Sequence, residues 1–330
     1  MITKVSNNPE IYKIEVPLEG SPLKNLSSYV LKSQGASLVV DTGFNMPASF
    51  NALSSGLREL NVDMSDKNTV LFLTHVHSDH VGLVPRIAKG CRILMSAKDQ
   101  AVFRAYMQNE AWDASDEYYK MHGMPSSELL EIKTANPARA FRPDAGFDME
   151  SINDGDTLQI GDVSLTAIAT PGHSPGHMCL ADLKHSILFA GDHILFDITS
   201  NIAVWQGFME DALGDYLNSL RKIRSLDIQL CLSGHRESAA PANERIDEIL
   251  AHHERRLNNI LDILSRRPCI SAYETASHMT WNMRGKSWRE FPPAQKWFAV
   301  GETISHLEYL RIRKRISCKM QDGILVWKCL

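Results

Sequence analysis

The stretch TVLFLTHVHSDHVG, residues 69–82, joins a hydrophobic run directly to a cluster of metal-binding side chains. Thr69 to Thr74 is continuously apolar and rich in strand formers, the pattern of a strand buried on both faces. It delivers the chain into four potential ligands within six residues: His75, His77, Asp79 and His80. Side chains alternate along a strand, so His75 and His77 point to one side. The turn and helix start that follow are expected to bring Asp79 and His80 onto a second, adjacent metal. Histidine supplies only 13 of 330 residues, so three within six positions is not an accident of composition.

Three later strand ends repeat the arrangement. Thr170-Pro-Gly-His173, Phe189-Ala-Gly-Asp192 and Leu232-Ser-Gly-His235 each place a ligand-type residue after a small-residue turn. Ligands converging from several strand ends are how an α/β scaffold builds a site. Imidazoles with a carboxylate suit zinc as the metal of first choice, with iron or manganese as alternatives.

The H-x-H-x-D-H motif at 75–80, Thr-Pro-Gly-His at 170–173, Gly-Asp at 191–192 and Gly-His at 234–235, in this order, resemble the metallo-β-lactamase superfamily. The resemblance implies a four-layer αβ/βα sandwich with two metal ions at one edge. It implies that His75, His77 and His173 hold one ion and Asp79, His80 and His235 the other, with Asp192 bridging. Asp41, in Asp41-Thr-Gly43, matches a family carboxylate that orients the site without binding metal. The diiron branch usually has Glu where this chain has His77, which favours zinc. Where Gly-Glu-Pro is usual after the last histidine, this chain has Arg236-Glu237-Ser238. Arg236 is expected to pair with a neighbouring acid in preference to projecting into the cleft.

Outward from the motif, strands are expected at 26–31, 37–40, 92–95, 178–181, 187–190 and 228–232. Helices are expected over 47–60, from Asp79 or His80 to Gly90, and over 100–107, 112–122 and 210–224. The composition shifts after Pro241. Apolar residues at helical spacing run from Asn243, a predicted N-cap, to Arg267. Ser271 and Glu274 form a capping-box pattern, and a third helix ends at Arg313. Gln321-Asp-Gly323 then closes a hairpin. These elements divide the chain into a catalytic domain, 1–242, and a winged-helix-like helical domain, 243–330. Within the superfamily such an appendage resembles the branch of β-lactamase-like endoribonucleases, and glyoxalase II also carries a C-terminal helical segment.

The net charge of −4 offers no global attraction for nucleic acid or an anionic membrane. With no apolar run near 18 residues and no signal core over residues 1–9, the chain reads as cytoplasmic, with six reduced cysteines. Its basic cluster, Arg311, Arg313, Lys314 and Arg315, falls at a helix C-terminus, where it offsets the helix dipole. Sequence-specific DNA binding is therefore disfavoured, while a single-stranded RNA contact stays open.

Two metals sharing a water lower its pKa from 15.7 toward about 7, and the bridging hydroxide attacks a carbonyl carbon or a phosphorus centre. Asp79 is the first choice to orient that nucleophile and move its proton. No protein nucleophile is required, and seryl or cysteinyl catalysis is disfavoured because the chain is read as lacking a G-x-S-x-G elbow. The first expectation is thus a hydrolase acting on a small ester or thioester, glyoxalase II-like or lactonase-like. Endoribonucleolytic cleavage of single-stranded RNA is the alternative, and a non-enzymatic metal-bearing interaction module comes last. A homodimer through the C-terminal domain is left open. His177 and His193 are equally readable as substrate contacts or packed histidines. Trp205, on the loop after Asp192, is the aromatic expected to line the cleft. His122, His185, His252, His253, His278 and His306 are read as ordinary surface or helix residues.

Overall fold

Odd and even positions of the N-terminal strands are both apolar, and the two faces bury against different partners. Tyr29, Leu31, Leu38, Val40, Val70 and Phe72 share one hydrophobic core, whereas Leu26, Val30, Val39 and Leu71 belong to another. The architecture follows from satisfying both faces. The computed structural model describes residues 1–236, 241–282 and 287–330, apart from the side chains of residues 134 and 135.

Strands β1 (Ile2–Asn7), β2 (Glu10–Pro17), β3 (Asn25–Ser33) and β4 (Ala36–Val40) form an antiparallel meander. Helix α1 (Pro47–Glu59) crosses to β5 (Thr69–Phe72), parallel to β4. Next come α2 (Ser78–Val81) and α3 (Val84–Ile87), then β6 (Arg92–Ser96), parallel to β5. Helices α4 (Ala97–Tyr106), α5 (Asn109–Met121), α6 (Ser126–Ala135) and α7 (Pro137–Ala140) intervene before β7 (Glu150–Ile152), which completes a seven-stranded sheet.

The expected single helix from Asp79 or His80 to Gly90 is instead two one-turn helices. Pro85 lacks the N–H that would continue the ladder. A side chain at Gly82 would also meet the Gly43 carbonyl at 2.6 Å, so the chain is pressed against its neighbour there.

The second sheet contains β8 (Thr157–Ile160), β9 (Val163–Ala169), β10 (Met178–Asp182), β11 (Ile187–Gly191) and β12 (Leu230–Ser233), in the order β12-β11-β10-β9-β8. Strands β10 and β11 form the expected hairpin, and β12 joins β11 in parallel after helix α8 (Ala212–Arg224). One core lies between the sheets, where Phe72 and Leu38 share a cluster with Phe189 and Leu165. A second packs α1 and α4 on the first sheet, and a third packs α8 on the other. These are the four αβ/βα layers.

The C-terminal segment consists of α9 (Ala242–Arg266), β13 (Ile270–Ser271), α10 (Ala272–His278), α11 (Pro293–Ile312), β14 (Ile316–Gln321) and β15 (Ile324–Cys329). Its strands pair antiparallel in the order β13-β15-β14. Ser271 caps α10 by accepting from the Glu274 amide, as the pattern predicts. Asn243 does not cap α9; Pro241 holds that position, and the helix begins at Ala242 without a side-chain cap. A shared core joins Tyr119, Met124, Leu129 and Ile132 of the α5–α6 region to Ile260, Val300, Leu307 and Trp327. All six cysteines are free, and among the described residues no helix is long and apolar enough to cross a membrane.

Candidate metal centre

The parallel pairings bring the carboxyl ends of β5, β11 and β12 to one edge of the sandwich, and the loop after β9 folds over the same edge. Backbone bonds tie these ends together: Met178 donates to the Thr74 carbonyl, and Gly234 to that of Gly191. Glycine is required at two of the turns. Gly191 takes φ +49°, and a Cβ there would meet Thr74 Oγ1 at 2.7 Å. A Cβ at Gly234 would meet Asp192 Oδ1 at 2.6 Å.

All seven residues expected as ligands converge. His75 Nε2 lies 2.9 Å from His77 Nδ1 and 3.2 Å from His173 Nε2. His235 Nε2 lies 3.3 Å from Asp79 Oδ2, and the Asp79, His80 and His235 ligand atoms form a second compact group. Asp192 stands between the groups, with Oδ2 3.6 Å from His173 Nε2 and Oδ1 3.4 Å from His80 Nε2 and 3.5 Å from His235 Nε2. A tetrahedral ion with bonds of about 2.0–2.1 Å spaces its ligand atoms by about 3.3 Å, close to these separations. His80 Nε2, His235 Nε2 and Asp192 Oδ1 are buried without a hydrogen-bond partner among the described residues. Buried polar atoms usually find a partner, and these three lie together among ligand-type side chains, so they fit a cation. The residues present suit two metal ions.

The outer nitrogen of four histidines is separately engaged. His80 Nδ1 bonds Asp41 Oδ2 at 2.8 Å, His173 Nδ1 the Asn201 carbonyl at 2.8 Å, and His235 Nδ1 the Asn25 carbonyl at 2.8 Å. His75 Nδ1 lies 3.0 Å from Thr74 Oγ1. Such partners fix the ring orientation and leave the inner nitrogen free to ligate. Asp41 plays its expected part: it orients His80 and also accepts from the Thr74 amide and hydroxyl at 2.8 Å each.

Electrostatics agree with a site that wants cations. Burial, with neighbouring His173, depresses His77 to about 3, so its lone pair is available at neutral pH. Burial works against charge on His80 and His235 too, yet the Asp41 and Asp192 carboxylates beside His80, and Asp192 and Asp79 beside His235, hold both pKa values up. Burial also opposes the Asp79 carboxylate, but the adjacent His235 and His80 imidazoles bring it down to about 2.

The remaining sequence candidates sort by burial. His177 and His193 are fully buried behind the ligands; His177 Nδ1 bonds Thr170 Oγ1 at 2.8 Å, and burial lowers His193 to about 3. Trp205 lines a recess beside His77, with ring centroids 5.4 Å apart, and its Nε1 donates to the His173 carbonyl. Trp112 lines the same recess. Arg236 donates to the Pro22 carbonyl at 3.0 Å, and among the described residues no acid pairs with it. Glu237 and Ser238 lie outside the described residues. His253 and His306 lie on helices, as expected, but they and His122 are fully buried and not on the surface, and His253 Nδ1 lies 3.1 Å from His306 Nε2 between α9 and α11.

The expected absence of a nucleophile-elbow pattern is corrected by the sequence itself, and one feature, Asp99, escapes the sequence reading. Gly172-His-Ser174-Pro-Gly176 spells G-x-S-x-G, the spacing of a serine nucleophile elbow. Ser174 is fully buried and donates to Asp99 Oδ2 at 2.7 Å, so it is a structural hydroxyl. Asp99 itself sits in a Ser96-x-x-Asp99 helix-start pattern, which by sequence alone marks it as a cap; its carboxylate turns to the site instead. It accepts from the Val76 amide at 3.0 Å and the Gly176 amide at 2.6 Å, tying the His75–His77 turn to the loop that carries His173. Burial pushes Asp99 up to about 6 even though its three donors favour the carboxylate. Asp99→Asn places an amide N–H against one of two fixed backbone N–H groups. It is expected to cost about 1–3 kcal/mol in stability and to weaken metal uptake. Thermal unfolding with a metal titration checks both, and an unchanged midpoint and affinity would remove Asp99 from the site.

Residues 23–235 match the Metallo-beta-lactamase superfamily profile. Among curated relatives, the lactamase-like protein aptB of Emericella nidulans is 28% identical over 73% of this chain and 61% of its own length. An atrochrysone carboxyl ACP thioesterase of the same organism is 24% identical over 74% of this chain and 62% of its own. This chain thus spans about three-fifths of each. Among solved structures, a metallo-beta-lactamase family protein of Thermus thermophilus is 27% identical, covers 97% of this chain and 98% of its own, and superposes with a TM-score of 0.81. With the profile match spanning the site and the ligand-type side chains converging at the sheet edge, the chain belongs to the metallo-β-lactamase superfamily.

Proposed function

We propose that this chain is a dinuclear metal-dependent hydrolase of a small ester or thioester, and that its two ions are zinc. The observation that carries the reading is the pair of ligand groups joined by Asp192, with an apolar recess opening beside His77. When bound, the two ions would lower the pKa of a shared water and polarise the substrate carbonyl. The protein's own residues do the rest. His75, His77 and His173 hold one position and Asp79, His80 and His235 the other, while Asp192 spans both. Asp41, Asn201 and Asn25 keep the imidazoles aimed. Asp79 directs Oδ2 at His235, and Oδ1 is the atom assigned to hold the proton during attack. The recess walls exclude bulk water from the acyl group.

The thioesterase among the relatives supports this substrate class. So does the state of the basic cluster that would favour RNA. Arg311 is paired with Glu308 at 2.6 Å, and Arg313 with Asp211 at 2.9 Å while stacking on Tyr309. Residues 243–330 are assigned as a winged-helix-like domain that braces the catalytic one. The test is a panel of thioesters and lactones beside a labelled single-stranded RNA, with the enzyme reconstituted in zinc, manganese or iron. Thioester or lactone turnover, highest with zinc, is expected. RNA cleavage with no ester turnover would overturn the substrate class.

A further inference from the structure

The recess beside His77 is half open to solvent and is walled by Phe103, Tyr106, Trp112 and Trp205, with Arg142 also in its lining. The aromatic rings are locked: Trp205 Nε1 donates to the His173 carbonyl at 3.1 Å, and Trp112 Nε1 to the Tyr106 carbonyl at 2.9 Å. Their polar edges are thereby consumed inside the protein. Tyr106 stands steeply inclined to both indoles, with centroids 4.9 Å from Trp112 and 5.4 Å from Trp205. Such a wall favours a flat apolar group, which gains edge-to-face contacts as well as burial.

A second, polar depression adjoins this recess and shares Trp112 and Arg142 with it. Its other cations are already neutralised. Arg139 binds Asp116 at 2.6 Å and covers the Trp112 ring, and Lys133 pairs with Asp113 at 3.2 Å and Asp116 at 3.4 Å. Arg142 differs. Its guanidinium reaches only the Tyr106 carbonyl, at 3.4 Å, and it forms no ion pair among the described residues. A half-buried guanidinium without an anion, between an aromatic recess and a polar mouth, is a receptor for a carboxylate, which it can grip with two parallel N–H bonds.

We infer that the substrate is an aromatic acyl thioester whose ring lies in this recess and whose far end carries a carboxylate paired with Arg142. The inference rests on the thioester reading above and narrows it. The reacting carbonyl then lies at the His77 end and the charge at the solvent end, so the recess also sets the orientation of the acyl group.

The test uses the metal-loaded enzyme and the N-acetylcysteamine thioesters of acetate, phenylacetate and 4-carboxyphenylacetate. Phenylacetyl is expected to exceed acetyl at least about tenfold in kcat/KM, and the carboxylated ring to gain about a further tenfold or more, the scale of a charge-assisted hydrogen bond. Arg142→Gln should lower the ratio of carboxylated to uncharged substrate about tenfold, and Arg142→Lys should restore part of it. An unchanged ratio, or no preference of phenylacetyl over acetyl, would overturn the assignment. A second measurement needs no turnover: calorimetric titration of 1,4-phenylenediacetate against phenylacetate. Both place one carboxylate at the metals, and only the first has another for Arg142. Its tighter binding should vanish in Arg142→Gln. If no thioester is hydrolysed yet this difference is present, the recess assignment stands and the thioester reading fails. If thioesters turn over and the titration shows no dependence on Arg142, the recess assignment fails alone.

Discussion

Asp192→Asn is expected to reduce bound metal from two ions to at most one and to lower turnover by at least about a hundredfold. The substitution keeps the shape of the side chain and removes its charge and one acceptor. Asp192 is the only side chain of the seven whose two oxygens face different ligand groups, Oδ2 toward His173 and Oδ1 toward His80 and His235. An amide puts two donors where one acceptor is needed, so one group loses its shared ligand whichever way the side chain turns. Losing even an outer partner of a ligand typically costs 10–100-fold in affinity or activity, which sets the floor for losing the bridge itself. His77→Ala is the companion measurement, since His77 serves only the group with His75 and His173. It should leave one ion bound through Asp79, His80 and His235. Metal analysis after dialysis, read beside steady-state rates, separates the two variants. Two ions retained by Asp192→Asn, with turnover near that of the unsubstituted chain, would refute the bridging assignment.

Much of this centre is legible in the sequence because its ligands sit at strand ends, where hydrophobic runs stop at small-residue turns. His75 to His80, His173, Asp192 and His235 can all be found that way, and Asp41 is recognisable from its Asp-Thr-Gly context. Asp99 is not. Its amide role in capping α4 is a local pattern, whereas its carboxylate serves loops that are distant in sequence, and no spacing rule connects Asp99 with Ser174 and Gly176. The buried state of His253 and His306 is hidden for the same reason. Each lies on a helix whose periodicity marks a buried face, but their meeting at 3.1 Å depends on how α9 packs on α11. Arg142 is a single cation in a loop, and its importance rests on Arg139 and Lys133 being neutralised by acids from α5.

The C-terminal segment looks separable in sequence, since it follows a composition shift and carries its own helices and hairpin. Removing it after Pro241 is nevertheless expected to destabilise residues 1–241 and not to yield an active, well-folded fragment. Tyr119, Met124, Leu129 and Ile132 bury against α9, α11 and Trp327. Exposing such side chains costs about 1.5–3 kcal/mol each, so losing all four approaches the roughly 5–15 kcal/mol that holds a domain folded. The Lys296–Glu128 ion pair, at 2.7 Å, would go with them. The damage also reaches the metal centre by a short path. Asn201 Nδ2 donates to the Phe298 carbonyl at 3.2 Å, Ser305 Oγ donates to the Ile202 carbonyl at 2.6 Å, and the Asn201 carbonyl is the partner that aims His173. Helix α11 is therefore one residue removed from a ligand. The fragment should unfold at lower temperature, lose protection from hydrogen exchange first in α5 and α6, and retain less metal. Ser305→Ala in the full chain isolates the second effect, because it loosens the loop without opening the shared core. A monodisperse 1–241 fragment with full metal content and activity would show that the segment serves association alone, and light scattering of the intact chain would then be expected to report a dimer.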